Sequence, residues 1–215
     1  MNTVVSDQKV QRQLMLIGGE WVPAQSGETI AVENPGRRQI IATVPRGAAE
    51  DVDLAVKKAL AAFESWRRVA SRERGRLLQT IAEKIEAEHE KLAWKIAEET
   101  GNALRTQARP EVKIAADIFR YFGGLASELK GETLPLSHDL LSFTQREPLG
   151  VVAAVIPWNA PFLLAAVKIA PALCAGNTMV MKTAEDQTLS TPWATRPLGR
   201  SFDCLRCAND HPILW

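Results

Sequence analysis

Two polar side chains stand where apolar runs stop. Asn159 follows the apolar run 151–156 and Pro157-Trp158. Lys182 closes the shorter run 178–181, with Glu185 just beyond it. Between them a helical stretch, 162–174, leads to Gly176-Asn177. The pattern is strand, turn, helix, turn, strand. In open parallel sheets, ligands bind just beyond the carboxyl ends of the strands. The crossover between parallel strands is right-handed in nearly all proteins, so both strand ends face one edge. Asn159 and Lys182 are therefore expected to line one crevice. An amide there can donate to a ligand oxygen, or it can cap the following helix. A lysine at a strand end suits a ribose hydroxyl or a phosphate. Glu185 can accept from ribose hydroxyls and would repel an added 2′-phosphate, which favours NAD over NADP. The usual glycine-rich phosphate loop is missing, so this is a nucleotide crevice without the common fingerprint.

The neighbours of these residues carry two readings each. Trp158 can pack on a cofactor ring or sit in the core. Lys168 lies inside the apolar helix, either as a buried lysine with proton chemistry or as a snorkelling stem. The run 151–156 is continuous rather than alternating, as in a strand covered on both faces. Pro157 removes a ladder donor and ends it.

The elements upstream must position this unit. Residues 14–45 read as short strands: 14–17 before Gly18-Gly19, Trp21-Val22 before Pro23, Ile30-Ala31-Val32 before Asn34-Pro35-Gly36, and 40–44 before Pro45. Apolar runs punctuated by Gly, Pro and Asn form hairpins. Residues 48–127 change to helical spacing. Val52, Val56, Ala59, Phe63 and Trp66 form one stripe. Ser71 is placed to cap the next helix, with Leu77, Ile81 and Ile85 on its inner face. Leu92 and Ile96 continue to a stop at Gly101. Pro110 suits a helix start, with Val112, Ala115, Phe119 and Phe122 on its stripe. Gly123-Gly124 weakens that helix or permits close packing. The charges between the stripes read as a solvated face. Residues 130–147 turn extended again around Ser137-His138-Asp139, a surface hairpin or an edge for another subunit.

The chain has 215 residues, 46% hydrophobic and 24% charged, with net charge +1. This is ordinary for a globular protein and offers no footprint for nucleic acid. The polar start, 1–13, is not a secretory signal. The apolar region 149–175 is interrupted by Pro157, Asn159, Pro161, Lys168 and Pro171, whereas a membrane span needs about 20 mostly apolar residues. The three cysteines, Cys174, Cys204 and Cys207, indicate no disulfide framework. A cytoplasmic location is expected.

Together these stretches resemble the aldehyde dehydrogenase superfamily, from about Ile17-Gly18-Gly19-Glu20-Trp21 to Ser190. The specific matches are Glu147-Pro148-Leu149-Gly150-Val151-Val152, Pro157-Trp158-Asn159-Ala160-Pro161, Lys168 with Pro171-Ala172-Leu173, Gly176-Asn177, and Lys182 with Glu185. Asn34-Pro35 also looks like a turn near the start of that family. The resemblance implies an α/β fold: an incomplete Rossmann-like parallel sheet, the first βαβ of a cofactor domain, with N-terminal helices and an oligomerisation-type hairpin at 130–147. It implies oxidation of an aldehyde to an acid with NAD, NADP being possible. A cysteine attacks the aldehyde to give a thiohemiacetal, hydride passes to nicotinamide, and water hydrolyses the thioester. Asn159 matches the asparagine that holds the substrate oxyanion, a donor whose loss costs roughly 3 kcal/mol in the barrier. Ile156, Pro157, Trp158, Lys182, Thr183, Ala184 and Glu185 match cofactor-lining positions, and Lys168 a lysine of a proton relay. An intact family member is expected to be a homo-oligomer acting on a small-molecule aldehyde.

The match departs after Ser190. The usual Lys-Pro reads Lys182-Thr183, and a long amphipathic helix is expected where Thr191-Pro192 and Arg196-Pro197 would break one. The organisation expected is a polar extension 1–13, a partial cofactor domain 14–190, and an aberrant tail 191–215 outside the family fold. Cys204 and Cys207 with His211 lack the second half of a structural zinc site, so no metal is expected. Neither cysteine has the setting of the family nucleophile, and Cys174 reads as packing. The chain thus reads as an N-terminal fragment without turnover of its own. Two alternatives are a non-catalytic partner that pairs with full-length subunits through 130–147, and a stand-alone nucleotide-binding module.

Overall fold

The computed structural model describes residues 10–184. Glu185, Cys204, Cys207, His211 and the tail 191–215 lie outside the described residues, as do 1–9.

The punctuated segment near the start forms hairpins, as expected. Strands β2 (Met15–Ile17) and β3 (Glu20–Val22) pair antiparallel. So do β4 (Thr29–Asn34) and β5 (Gln39–Pro45). Asn34 shapes the second turn: its Oδ1 accepts from the N–H groups of Gly36 at 3.0 Å and Arg37 at 3.1 Å. The short strand β1 (Gln11–Arg12) pairs parallel with β5, so the first sheet begins inside the stretch read as a polar extension. Main-chain pairing carries no polarity signal, which is why a polar dipeptide could join.

Four helices follow: α1 (Ala49–Trp66), α2 (Ser71–Ala87), α3 (His89–Thr100) and α4 (Arg109–Leu125). The α1 stripe is rotated from the expected one. Ala55, Ala59, Ala62, Phe63 and Trp66 are buried, whereas Val52 and Val56 are exposed. Small alanines on the covered side allow close approach, and hydrophobicity alone did not weigh them. Asp51 anchors the helix start, accepting from Ala48 N at 3.0 Å and Gln25 N at 3.1 Å. Ser71 is not the cap of α2. That position is Ala70, and the Ser71 hydroxyl accepts from Arg74 instead. Leu78 takes the buried place beside Ile81 and Ile85, and Leu77 is half-buried. Gly101 ends α3 at φ +75°, its N–H donating to Ala97 O at 3.0 Å. A single π-turn (Leu104–Ala108) leads into α4, which carries Pro110 in its first turn.

Gly123 serves close packing. A Cβ placed on Gly75 of α2 would lie 2.5 Å from Gly123 O. Helices α2 and α4 therefore touch backbone to backbone, and the main core forms around them and α5 (Pro161–Cys174).

The remaining elements are a hairpin, β6 (Thr133–Ser137) and β7 (Leu140–Phe143), and the unit β8 (Val151–Val155), α5, β9 (Thr178–Lys182). Strands β8 and β9 pair in parallel. Met179 and Met181 of β9 join the main core, while Thr178 on the other parity donates its hydroxyl to Ala59 O of α1 at 2.9 Å. So β9 is covered on both faces. β8 is not: Ala154 and Ile156 are buried, but Val155 is 68% exposed. The continuous apolar run predicted cover on both faces; among the described residues the side carrying Ala153 and Val155 is exposed at both.

Candidate functional site

Parallel pairing brings the two strand ends to one edge. Val155 stands opposite Lys182, and Ile156 N donates to Lys182 O at 2.9 Å. The register is set at the opposite end. Buried Asn177 accepts from Gly150 N at 3.0 Å through Oδ1, and Thr178 N donates to Gly150 O at 3.1 Å. Arg74 fastens the α5–β9 turn to α2. Its guanidinium donates to Cys174 O, Val69 O and Ser71 Oγ. Its side chain also lies against Gly176, whose φ is +88°. Burial lowers the Arg74 pKa.

Ile156, Pro157, Trp158 and Asn159 thus share an edge with Lys182, Thr183 and Ala184. Ile156 is buried beneath the edge, whereas Pro157, Asn159 and Lys182 are exposed. Trp158 is 62% exposed, so it is not a core residue here. Lys182 Nζ donates to Thr183 O at 3.3 Å. The capping role weighed for Asn159 falls elsewhere: α5 is capped at Ala160, without a side-chain cap bond. Glu111 of α4 does that work. Its Oε1 accepts from Phe162 N at 3.0 Å and Leu163 N at 3.2 Å. The Asn159 carbonyl accepts from Asn102 Nδ2 at 3.2 Å. Neither Asn102 nor Glu111 was visible as a site residue in the sequence. Glu111, in the first turn after Pro110, reads as an acid complementing its own helix dipole.

Lys168 lies in the second half of α5. It is exposed beside Val167 on the outward side of α5, roughly 10 Å along the axis from the helix start at 1.5 Å per residue. Cys174, at the far end of α5, is buried, and its Sγ donates to Phe122 O at 3.3 Å. Burial raises its thiol pKa. Among the described residues no group of His, Cys, Asp or Glu could hold a metal ion. Nor is any helix there long and apolar enough to cross a membrane.

The aldehyde dehydrogenase family model matches residues 21–196. The chain belongs to the aldehyde dehydrogenase family. Phenylacetaldehyde dehydrogenase of Pseudomonas fluorescens is 45% identical over 184 residues, covering 82% of this chain and 37% of that protein. Aldehyde dehydrogenase 1 of Tanacetum cinerariifolium is 41% identical over 177 residues, 81% of this chain and 36% of its own length. Among solved structures, betaine aldehyde dehydrogenase of Staphylococcus aureus, determined with NAD+, superposes with a TM-score of 0.87. It is 33% identical, and the match covers 94% of this chain and 40% of that one. The chain therefore spans little more than a third of the length of the curated relatives it matches. The partial Rossmann-like α/β fold agrees with that of its structural relatives.

Proposed function

We propose that this chain supplies part of the NAD(P) crevice and the substrate-facing amide of an NAD(P)-dependent aldehyde dehydrogenase. The observation that carries the reading is the shared edge at which β8 and β9 end. An apolar floor at Ile156 and Pro157 meets a polar rim at Asn159, Lys182 and Thr183, and the exposed Trp158 offers a flat apolar surface. Such a rim suits a nucleotide, whose ribose and phosphates need donors and whose rings need apolar cover. Lys182 would meet a ribose hydroxyl or phosphate, with Glu185 following in sequence to accept from the ribose. When bound, the nicotinamide supplies the hydride acceptor. The Asn159 side chain would donate to the substrate oxygen as negative charge develops on it. Lys168 is proposed for proton relay only on the strength of the family resemblance.

We further propose that these 215 residues alone do not turn over aldehydes. Cys174 is buried on the far end of α5, where burial raises its thiol pKa, whereas a nucleophile must be a thiolate. Isotope-labelled chain titrated with NAD+ should show resonance shifts at Ile156, Trp158 and Lys182, with only weak affinity by calorimetry. Shifts confined to other surfaces would overturn the crevice. NADH absorbance should stay flat with a panel of aldehydes, and cysteine-dependent turnover would overturn the second statement.

A second reading is favoured by the β6–β7 hairpin. Leu136, Leu140, Leu141 and Phe143 are all exposed on it, Leu141 at 78%. An apolar, exposed two-stranded ribbon suits pairing with another subunit. Co-expression with a full-length family member and size-exclusion chromatography tests this; consistent failure to co-elute removes it.

A further inference from the structure

The turn that carries Asn159 is held from two sides by one stretch of chain. On one side, Asn102 Nδ2 donates to the Asn159 carbonyl at 3.2 Å. On the other, Oε1 of Glu111 takes the N–H groups of Phe162 and Leu163, the first turn of α5. Glu111 is only 5% exposed, and the helix it caps has no side-chain cap of its own. Both contacts span more than fifty positions in the sequence. Asn102 sits on the connection between α3 and α4, and Glu111 in the first turn of α4.

That connection is itself braced. Asn102 follows Gly101, whose left-handed φ turns the chain, and a Cβ at Gly101 would lie 2.9 Å from Pro35. Asn102 N donates to Thr100 Oγ1 at 3.0 Å, and that hydroxyl donates to Ile96 O at 2.6 Å. Ala103 N donates to Gln107 Oε1 at 3.1 Å, within a π-turn that ends where α4 begins. A π-turn inside a helical segment marks a place where backbone geometry serves something beyond regular packing. Here it leads directly into α4, whose first turn carries Glu111.

We propose that Asn102 and Glu111 are positioning residues for Asn159, clamping the 157–160 turn so that its amide is pre-placed for the substrate oxygen. The functional sense of the clamp rests on the reading of Asn159 above. Electrostatic stabilisation depends on donors already aimed before the charge develops. A turn that carries one catalytic amide and few neighbours needs its orientation imposed from outside. Neither residue touches substrate in this account; each acts through the placement of Asn159.

The test is made on the full 215-residue chain by NMR and amide hydrogen exchange. In Asn102→Asp, which keeps shape but removes the donor, the Asn159 backbone and side-chain amide resonances should move. In Glu111→Ala, exchange at Phe162 and Leu163 should become about tenfold faster or more, and the Asn159 resonances should move as well. Glu111→Gln, which keeps an acceptor in place, should restore both to the original values. Amides at the Gly75–Gly123 contact should keep their protection throughout. Asn159 resonances that stay unmoved in both Asn102→Asp and Glu111→Ala would overturn the clamp. So would a uniform loss of protection across the core, which would mean general destabilisation instead. Because the readout is the placement of Asn159, a negative result leaves the crevice reading standing. Failure of NAD+ to contact the strand ends, in turn, leaves the clamp standing.

Discussion

The buried side chain of Asn177 accepts the N–H of Gly150 at 3.0 Å, joining the start of β9 to the start of β8. With the bond from Thr178 N to Gly150 O, it fixes the register in which Val155 and Lys182 finish together. Asn177→Ala leaves the Gly150 N–H buried without that acceptor. A loss of about 1–3 kcal/mol is expected, the desolvation cost of an unpaired buried donor. Chemical denaturation of the two proteins measures it, and an unchanged midpoint would remove Asn177 from this role.

Glu111 gives a pH dependence with a definite sign. Burial is the main influence on its carboxyl and pushes the pKa up, while the bonds from Leu163 and Phe162 pull it partly back. The folded chain therefore keeps the proton over a range where the unfolded chain has released it. Stability is lost as pH rises from the ordinary carboxylate value, about 4.3, through the raised folded value, and is flat below. Glu111→Gln has no such loss. Its stability relative to the native chain should climb across that window and then level off. Denaturation curves collected from acid to neutral pH decide it; parallel profiles would contradict the shift.

The α2–α4 contact distinguishes Gly75 from Gly124. A methyl on Gly75 would press on the Gly123 carbonyl, while one on Gly124 meets nothing within 4 Å. Gly75→Ala should destabilise by about 1–3 kcal/mol through overpacking. Gly124→Ala should stabilise by up to about 1 kcal/mol through helix propensity. Thermal unfolding of the pair reads both, and equal effects would refute the backbone contact.

Cys174 should be inert in the folded chain, because burial raises its thiol pKa. In a Cys204→Ser, Cys207→Ser background, a thiol reagent should label it only at the rate of unfolding. Rapid labelling under native conditions would show that the α5 terminus opens.

The hairpin should matter to association more than to stability. Leu141 and Phe143 are exposed, so Leu141→Lys with Phe143→Lys should change stability by no more than about 0.5 kcal/mol per site. Co-elution with a full-length family member should be lost. Retained co-elution would place the contact elsewhere.

The local elements were legible in the sequence because their signals are local. Turn residues such as Asn34, Gly101 and Pro110 act on their own backbone, so hairpins, helix ends and helix starts fell close to where they were expected. The βαβ unit was equally plain, since Pro157 and Gly176-Asn177 interrupt apolar runs of the right length, and the ordered motifs around Asn159 and Lys182 carried the family. Other features were decided only in three dimensions. Which face of α1 is covered depends on what it packs against, and alanines won over Val52 and Val56. The open face of β8 depends on which neighbours lie against it, and an apolar run reads the same with or without them. Asn102 and Glu111 reach Asn159 and the start of α5 across more than fifty positions. A contact between residues so far apart leaves no period, spacing or turn signal along the chain. The sequence by itself determined the family and the strand ends where chemistry can gather; only the tertiary structure decided what holds Asn159 there.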